Sequence, residues 1–288
     1  MNKLVSIIIP VFNRASLVSR AIESSVNQTY TNIEIIIGDN CSTDGSWEII
    51  KEFAKKDERI IIFKNDNNIG PVGNWIECLK RTKGEFIKFI FSDDWIDIDW
   101  IEKAISPLKN NKRIGFSFTP ANIVIDNQSI NVSFKWFEKS RIISSDYYIF
   151  LNFFKKNAPV SPGCALFRRQ DVIKNLFTNI KNPLNIDYSK HGGGIDLLLF
   201  LFTAKEYKHI AYVDNTMAYF LGSDDSFTIN QNLTNAYLYS KIYFMNNYKV
   251  FSLFFWLKLF RNKSELIKLL RVKVTLKELK ALPYLLRN

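Results

Sequence analysis

Residues 5–14 read VSIIIPVFNR, residues 33–45 read IEIIIGDNCSTDG, and residues 84–94 read GEFIKFIFSDD. Each segment begins as an apolar run rich in β-branched residues and ends in polar, turn-forming residues. Such runs are typical of parallel strands that are buried on both faces. Because ligands of open α/β sheets bind beyond the carboxyl ends of the strands, the acidic residues that follow these strands predict a site for a metal ion or a sugar.

Apolar residues at helical spacing lie between the predicted strands. Helices are predicted over residues 16–29, 44–56 and 72–83, and a further strand over 59–64. This alternation of strand and helix predicts a doubly wound sheet in which parallel strands dominate. After residue 95 the pattern is more broken, with a later helix predicted over residues 195–204.

The composition excludes several classes of protein. A hydrophobic content of 47% and an aromatic content of 15% exclude a disordered chain. Three widely spaced cysteines and two histidines argue against a disulfide framework or a zinc site, and they favour a reducing compartment. No uncharged stretch approaches the ~20 residues that span a bilayer, and the apolar N-terminal run is expected to be a buried strand, not a signal peptide.

The charge of the chain is concentrated at its C-terminal end. Residues 231–288 contain eleven Lys and Arg but only two Glu, a net +9 of the chain's +11. An aromatic cluster at 251–256 precedes a segment in which Lys residues flank an apolar helical face. This arrangement favours an anionic membrane surface as partner for residues 241–288. The alternative is a pair of helices packed on the body, with a solvated basic side.

Three motifs, in order, resemble those of the family 2 glycosyltransferases, which are inverting enzymes with the GT-A fold. They are PVFN at 10–13, DNCSTDG at 39–45 and SDD at 92–94. One such match alone is a weak signal, whereas three in order at plausible spacing are strong. The resemblance is clear from about residue 4 to about residue 100, becomes fainter to about residue 228, and is absent after that.

The resemblance implies a domain organisation. We expect a GT-A domain over residues 1–230, an α/β fold with a doubly wound mixed sheet flanked by helices. Its nucleotide-sugar-binding half would span residues 1–105 and its acceptor half residues 106–230. A basic, aromatic, helical tail would follow over residues 231–288.

The resemblance also implies which residues bind the nucleotide sugar. Asp39 would accept a hydrogen bond from the N–H of a uracil ring, although an Asx-turn or a helix cap is the alternative for this residue. The other residues expected at the donor are Pro10, Val11 and Phe12 along the base, together with Asn13, Asn68, Gly70 and Asp93.

A divalent metal ion, Mn²⁺ or Mg²⁺, is the implied cofactor. A metal neutralises the charge of a leaving diphosphate, and hard cations take carboxylate oxygens. Family members bind the metal-diphosphate through an Asp-rich loop, which implies that Asp93 and Asp94 are the metal ligands. Phe91 stands at the first Asp of the family's Asp-Ser-Asp-Asp motif. Which of the two remaining Asp residues coordinates the metal directly therefore stays open. A helix cap before residues 95–101 is the alternative for one Asp.

Asp196 is the implied catalytic base. Inversion requires the acceptor hydroxyl to lose its proton as it attacks, and a carboxylate is the usual acceptor of that proton. The family places a Glu-Asp pair at a helix start after a glycine, and here Ile195 replaces the Glu. The alternative is an acid that complements the helix dipole, with Asp187 as a reserve base.

Three further residues have weaker functional indications. A lone loop histidine such as His191 is expected to be solvent-exposed, with a phosphate or acceptor contact as the alternative. Asp224 and Asp225 fall where family members keep a loop that closes over the donor, and an ordinary polar turn is the alternative.

The implied function is transfer of a single sugar from a nucleotide-sugar donor, with a UDP-sugar favoured, to a hydroxyl of a glycan or lipid-linked acceptor. We expect this at the inner face of the cytoplasmic membrane, in surface polysaccharide synthesis such as lipopolysaccharide or capsule. Absence of the Gln-x-x-Arg-Trp motif of processive relatives favours single addition. The alternatives are a non-catalytic relative, because Phe91 and Ile195 replace acids, or a nucleic-acid-binding protein, disfavoured by the nearly neutral body.

Overall fold

The computed structural model describes residues 2–125, 128–154, 158–222 and 233–247. The strands are β1 (Val5–Val11), β2 (Ile33–Asp39), β3 (Ile60–Lys64), β4 (Phe86–Phe89), β5 (Trp95–Ile96), β6 (Ile114–Phe118), β7 (Ala121–Ile125), β8 (Gln128–Ser133), β9 (Arg141–Ser144), β10 (Ala165–Arg168), β11 (His209–Tyr212) and β12 (Ala218–Leu221). The helices are α1 (Val18–Val26), α2 (Ser46–Lys56), α3 (Gly70–Lys80), α4 (Trp100–Ile105), α5 (Ser145–Phe154), α6 (Arg169–Asn175), α7 (Ile195–Glu206) and α8 (Thr234–Asn247).

The main sheet is mixed. Its strand order is β3-β2-β1-β4-β10-β6-β11-β9, and a smaller sheet has the order β5-β12-β7-β8. Strands β1 to β4 run parallel to one another, whereas β10 is antiparallel to both of its neighbours. The expected doubly wound mixed sheet is therefore confirmed, and it draws strands from both halves of the predicted domain.

Burial on both faces explains the apolar sequences of β1 and β2. Every residue of these two strands is buried. Ile8 and Ile36 pack on the face covered by α3, α5 and α7, whereas Ile7 and Ile35 pack on the face covered by α1, α2 and α4. Because successive side chains of a strand point to opposite faces, a continuous apolar run serves both cores.

The carboxyl ends of the first strands lie side by side at one edge of the sheet. Val11 pairs with Asp39 in the register of β1 and β2. The N–H of Asn40 donates to the carbonyl of Val11, and the N–H of Ile90 donates to the carbonyl of Ile8. The three loops that follow β1, β2 and β4 therefore start at the same edge.

The structure excludes one alternative near this edge. In place of a helix over residues 95–101, strand β5 covers Trp95–Ile96, and α4 begins only at Trp100. Trp95 stacks on Tyr219 of β12, with ring centroids 5.1 Å apart and an interplanar angle of 2°. This stacking and the pairing of β5 with β12 keep the chain extended, so the alternative of a helix cap at Asp93 or Asp94 is wrong.

The end of the chain is described only in part. Helix α8 lies in the predicted tail and packs against α7, and it includes the first residues, 241–247, of the segment 241–288 that is predicted to bind a membrane. Residues 248–288 lie outside the described residues. In the part of the chain that the structure describes, no helix combines the length and the apolar character needed to cross a bilayer.

Candidate active site at the carboxyl edge of the sheet

The loops after β1 and β2 are joined by side-chain hydrogen bonds. Asn13 has a φ of +50°, its N–H donates to Ser42 Oγ at 3.0 Å, and its Oδ1 accepts from the N–H of Thr43 at 3.0 Å. Asp44 Oδ2 accepts from the N–H of Ala15 at 2.9 Å. Asn13 thus has a clear role in holding the two loops together, and its predicted contact with the donor remains a prediction.

Asp39 has one oxygen in use and one without a partner. Its Oδ1 accepts from the N–H of Ser42 at 2.7 Å, as an Asx-turn requires. Its Oδ2 is buried and has no hydrogen-bond partner within the described residues. The whole side chain is covered, whereas Phe12 at the same edge is 42% exposed. The Asx-turn alternative therefore accounts for only half of this carboxylate.

A network of amide side chains joins β2 to the start of α3. Asn40 Nδ2 donates to Asn68 Oδ1 at 2.7 Å, and Asn40 Oδ1 accepts from Asn65 Nδ2 at 3.1 Å. Asn68 Oδ1 also accepts from the N–H of Gly70 at 2.9 Å. Asn68 and Gly70 are thus held beside the end of β2, where the sequence predicts the donor.

The segment that leads to Asp196 packs against α3. Gly70 has a φ of +78°, and a Cβ added there would lie 2.9 Å from the carbonyl oxygen of Ser189. A Cβ on Gly192 would overlap the ring of Trp75. Glycine is required at Gly70 by its backbone conformation and by this close approach. The loop that leads to Asp196, the predicted catalytic base, therefore directly contacts the loop predicted to bind the donor, which includes Asn68 and Gly70.

Two arginines lie beside the acidic loop after β4. Arg14 Nε is 3.9 Å from Asp93 Oδ2, and Arg20 Nη2 donates to the carbonyl of Asp93 at 3.1 Å. The guanidinium of Arg20 lies 3.6 Å from the ring centroid of Trp95. Arg14 thereby connects the loop after β1 to the loop after β4.

Burial raises the pKa of both carboxyl groups of this loop. The pKa of Asp93 is raised by desolvation, partly opposed by Arg14 and Arg20. The pKa of Asp94 is raised well above its usual value, first by desolvation and then by the charge of Asp93. Asp94 Oδ1 accepts from the N–H of Leu221 at 3.2 Å.

This carboxylate pair fits a divalent cation. Two desolvated, mutually repelling carboxylates are stabilised by a bound cation. No group of three or more His, Cys, Asp or Glu side chains suited to a metal occurs among the described residues. The remaining ligands would therefore have to be diphosphate oxygens and water, as is usual for Mg²⁺ in nucleotide sites.

Asp196 stands in the first turn of α7 with both oxygens engaged. Oδ1 accepts from the N–H groups of Gly194 at 2.7 Å and Leu197 at 2.6 Å. Oδ2 accepts from the hydroxyl of Tyr237 at 2.6 Å. Burial raises the pKa of Asp196 to about 7. A carboxyl group with such a pKa is suited to accept a proton near neutral pH, and Oδ1 also serves the helix start.

The other two candidates on this segment differ in environment. Asp187 Oδ1 accepts from both the N–H and the hydroxyl of Ser189, and these bonds lower its pKa. Asp187 is therefore a turn residue and a poor base. The expected exposure of His191 is wrong, because this side chain is only 8% exposed and burial lowers its pKa. Asp224 and Asp225 lie outside the described residues.

At two positions where the family motifs have acidic residues, this chain has apolar residues that pack in the core. The ring of Phe91 lies 5.4 Å from that of Trp75, and Ile195 is fully buried. Both substitutions therefore have a packing role, and the neighbouring acids Asp93, Asp94 and Asp196 remain at the site.

The sequence patterns assign no role to several residues that shape the site. For Arg14, its position directly after the first motif could have indicated one. Arg20 and Tyr237 contact partners 73 and 41 residues away in the chain, and no local pattern indicates such pairings. Asn40 lies inside the second motif, but only the structure shows its amide network.

A protein-family model described as Glycosyl transferase family 2 matches residues 6–176. A Campylobacter jejuni protein named GalNAc(5)-diNAcBac-PP-undecaprenol beta-1,3-glucosyltransferase is 34% identical over 152 residues, 51% of this chain and 48% of that protein. An Escherichia coli protein named UDP-Glc:alpha-D-GlcNAc-diphosphoundecaprenol beta-1,3-glucosyltransferase WfaP is 44% identical over 104 residues, 36% and 39% of the two chains. The chain spans less than half the length of these relatives.

Solved structures resemble the fold over most of this chain. Staphylococcus aureus TarS 1–349 in complex with UDP-GlcNAc gives a TM-score of 0.61 at 18% identity, covering 84% of this chain and 64% of that one. GalNAc-T7 with UDP, GalNAc and Mn²⁺ gives a TM-score of 0.60 at 12% identity, covering 85% and 50%. These likenesses confirm the expected GT-A fold.

Proposed function

This chain belongs to glycosyl transferase family 2, and from that premise we propose that it transfers one sugar, with inversion, from a UDP-sugar to a hydroxyl of a lipid-linked glycan. One observation carries the proposal. Asp39 ends β2 and Asp93 and Asp94 lie in the loop after β4, at one edge of the sheet, and the segment that leads to Asp196 packs on α3.

Asp39 is the residue that we propose recognises the nucleotide base through a hydrogen bond. Its Oδ2 is a buried acceptor with no partner, and an unsatisfied buried group costs about 1–3 kcal/mol. A uracil N–H would satisfy it. Because the side chain is fully covered, a bound base must displace the atoms that cover it. Phe12, exposed at this edge, offers an aromatic surface to the base.

Asp93 and Asp94 are the proposed ligands of a divalent metal, Mn²⁺ or Mg²⁺. Such a metal supplies charge neutralisation to a leaving diphosphate. Arg14 lies beside Asp93, and Arg20 holds the backbone of the same loop. The two arginines therefore orient the carboxylates and add positive charge where the diphosphate is expected.

Asp196 is the proposed base. The acceptor hydroxyl gives its proton to an Asp196 carboxylate oxygen, and the hydroxyl oxygen forms a bond to the anomeric carbon. The bond from that carbon to the phosphate oxygen breaks on the opposite face, and UDP leaves with the electron pair. With its pKa raised to about 7, Asp196 is basic enough to assist this step while remaining partly ionised at neutral pH.

The names of two relatives support a lipid-linked acceptor. Both the C. jejuni and the E. coli protein are named for beta-1,3-glucosyl transfer to sugars on a diphosphate of undecaprenol. A β linkage is the product that inversion gives from an α-linked donor. The net +9 charge of residues 231–288 suits an anionic membrane that holds such an acceptor.

Release of UDP from a panel of UDP-sugars tests the proposal without a known acceptor, because water can replace the acceptor hydroxyl. We expect slow, Mn²⁺-stimulated UDP release from at least one donor by the wild-type chain. Asp196→Asn should reduce this release by ~10²–10⁴-fold, the usual effect of a general base, and should leave calorimetric UDP affinity unchanged. Full release by Asp196→Asn would exclude Asp196, and no UDP binding by the wild type would favour a non-catalytic relative.

A further inference from the structure

Helix α8 lies beyond the residues matched by the family model and covers the loop that leads to Asp196. Ala236, Tyr237 and Ser240 share one side of the helix at spacings of three and four, together with Leu233 just before it. Tyr188 donates its hydroxyl to the carbonyl of Ala236 at 3.1 Å. A Cβ on Gly193 would lie 2.6 Å from Leu233, and one on Gly194 would lie 2.5 Å from Ser240 Oγ.

The same loop also packs against α3. Gly192 contacts the ring of Trp75, and Gly70 contacts the carbonyl of Ser189. The three consecutive glycines at 192–194 are thus explained by close packing against two elements, and Gly194 also has a φ of +89°. The loop before α7 contacts both an element of the donor half and α8.

We propose that Tyr237 is a positioning residue for glycosyl transfer, because its hydroxyl holds Asp196 Oδ2 in the orientation in which this oxygen receives the proton of the acceptor. The inference rests on the proposed function, since Asp196 is the base proposed there. Two backbone N–H groups hold Oδ1, so the Tyr237 hydroxyl at 2.6 Å completes the fixation of the carboxylate. Oδ2 retains a second lone pair for the incoming proton.

Removing the hydroxyl should change the titration of Asp196 in a defined direction. Among the residues that the structure describes, Tyr237 from α8 and Tyr148 from α5 are titratable groups that interact with Asp196. Burial raises the pKa of both tyrosines, so both stay neutral around pH 7. A hydrogen bond donated to a carboxylate favours its ionised form. Tyr237→Phe should therefore raise the pKa of Asp196 by about one unit.

The experiment compares four forms of the full chain: wild type, Tyr237→Phe, Asp196→Asn and Tyr243→Phe. Tyr243→Phe removes a hydroxyl from the same helix, and the ring of Tyr243 packs on Phe177 and Phe202, away from Asp196. Titration of ¹³C-labelled Asp carboxyl groups by NMR follows Asp196, whose signal is the one lost in Asp196→Asn. UDP release from the active UDP-sugar with Mn²⁺ measures turnover, and thermal unfolding checks the fold.

We expect Tyr237→Phe to shift the midpoint of Asp196 upward by about one pH unit and to lower kcat roughly tenfold to a hundredfold. KM for the donor should change less than twofold, and Tyr243→Phe should match wild type. An unchanged Asp196 midpoint in Tyr237→Phe overturns the inference, whatever happens to turnover. Full turnover by Asp196→Asn overturns the proposed base itself, and with it any positioning role for Tyr237.

Discussion

Asp94 is a carboxylate whose placement opposes folding when no cation is bound. Its pKa is raised by burial and by the charge of Asp93. A group whose pKa is higher in the folded than in the unfolded chain destabilises the fold at every pH where it is ionised in the unfolded chain. This destabilisation disappears as the pH falls below the unfolded pKa. Ionised Asp94 is therefore expected to cost stability at neutral pH, and a cation bound to the carboxylate would offset this cost.

Asp94→Asn should raise the melting temperature of the metal-free chain, by ~2–4 °C for each kcal/mol relieved. The amide Oδ1 can still accept from the N–H of Leu221, so the loop keeps its contact. The same variant should lose metal-dependent UDP binding in calorimetry. Asp66→Asn, which changes an exposed carboxylate, is the control and should alter neither property. A lower melting temperature, or UDP binding that still responds to Mn²⁺, would contradict the metal assignment.

Asp39→Asn should reverse the preference between two pyrimidine nucleotides. The variant keeps an acceptor for the N–H of Ser42 but presents an N–H donor in place of Oδ2. Uracil has an N–H at ring position 3, whereas cytosine has an acceptor there. We expect UDP affinity to fall about tenfold to a hundredfold and CDP affinity to rise, both measured by calorimetry. Equal losses for UDP and CDP would reduce Asp39 to its turn role.

The acidic residues of the site were predictable, and the basic and hydroxyl groups that hold them were not. Asp39 ends the buried strand β2, and Asp93 and Asp94 come within five residues of the end of β4, so local pattern indicates their shared edge. Arg20 and Tyr237 reach the site from helices whose packing is set by the whole fold. Likewise, the burial of His191 follows from packing of its loop on α3 and leaves no trace in the neighbouring sequence.

At the scale of elements, strands were easier to predict than the segment after β4. Strands β1 and β2 are buried on both faces, so their apolar runs are unambiguous. Residues 95–101 carry an apolar pattern that also fits a helix, but Trp95 stacks on Tyr219, 124 residues later in the chain. A long-range contact of this kind overrides local preference.

Gly70 offers a test of the contact between the loop predicted to bind the donor and the loop that leads to Asp196. Gly70 and Gly45 both have positive φ, but a Cβ on Gly70 would meet the carbonyl of Ser189 at 2.9 Å, whereas one on Gly45 would meet nothing within 4 Å. Gly45→Ala should cost about 1–2 kcal/mol of unfolding free energy from backbone strain alone. Gly70→Ala should cost more and should also weaken UDP binding, as measured by denaturant unfolding and calorimetry. If both variants lose the same unfolding free energy, the loop before Asp196 can move away from Gly70 without a measurable loss of stability.

At the scale of the whole molecule, the C-terminal segment differs from the rest of the chain in its net charge. Residues 231–288 carry a net +9, which leaves +2 for residues 1–230. Each basic residue near the surface of an anionic bilayer contributes about 1 kcal/mol of binding free energy, and salt screens this attraction. Membrane association is therefore a prediction from sequence, since residues 248–288 lie outside the described residues.

Changing Lys273, Lys277 and Lys280 to Glu should lower affinity for anionic vesicles by at least tenfold, as measured by co-sedimentation at low salt. Turnover on a soluble acceptor mimic should stay largely intact, because the proposed donor residues precede residue 200. The matched control places the same charge change on exposed residues of the body, at Lys109, Lys112 and Arg113. If the wild-type chain fails to bind anionic vesicles at low salt, the C-terminal segment is a packing or oligomer element.

The most direct test of inverting transfer from a UDP-sugar is product analysis with a defined acceptor. The wild-type chain is incubated with Mn²⁺, a lipid-linked sugar of the class proposed as acceptor and each of a panel of UDP-sugars, and the product is examined by mass spectrometry and NMR. We predict one added sugar, joined by a linkage of inverted anomeric configuration, from a UDP-sugar and not from the corresponding GDP-sugar. A product that retains the donor configuration, or transfer from GDP-sugars alone, would contradict the account.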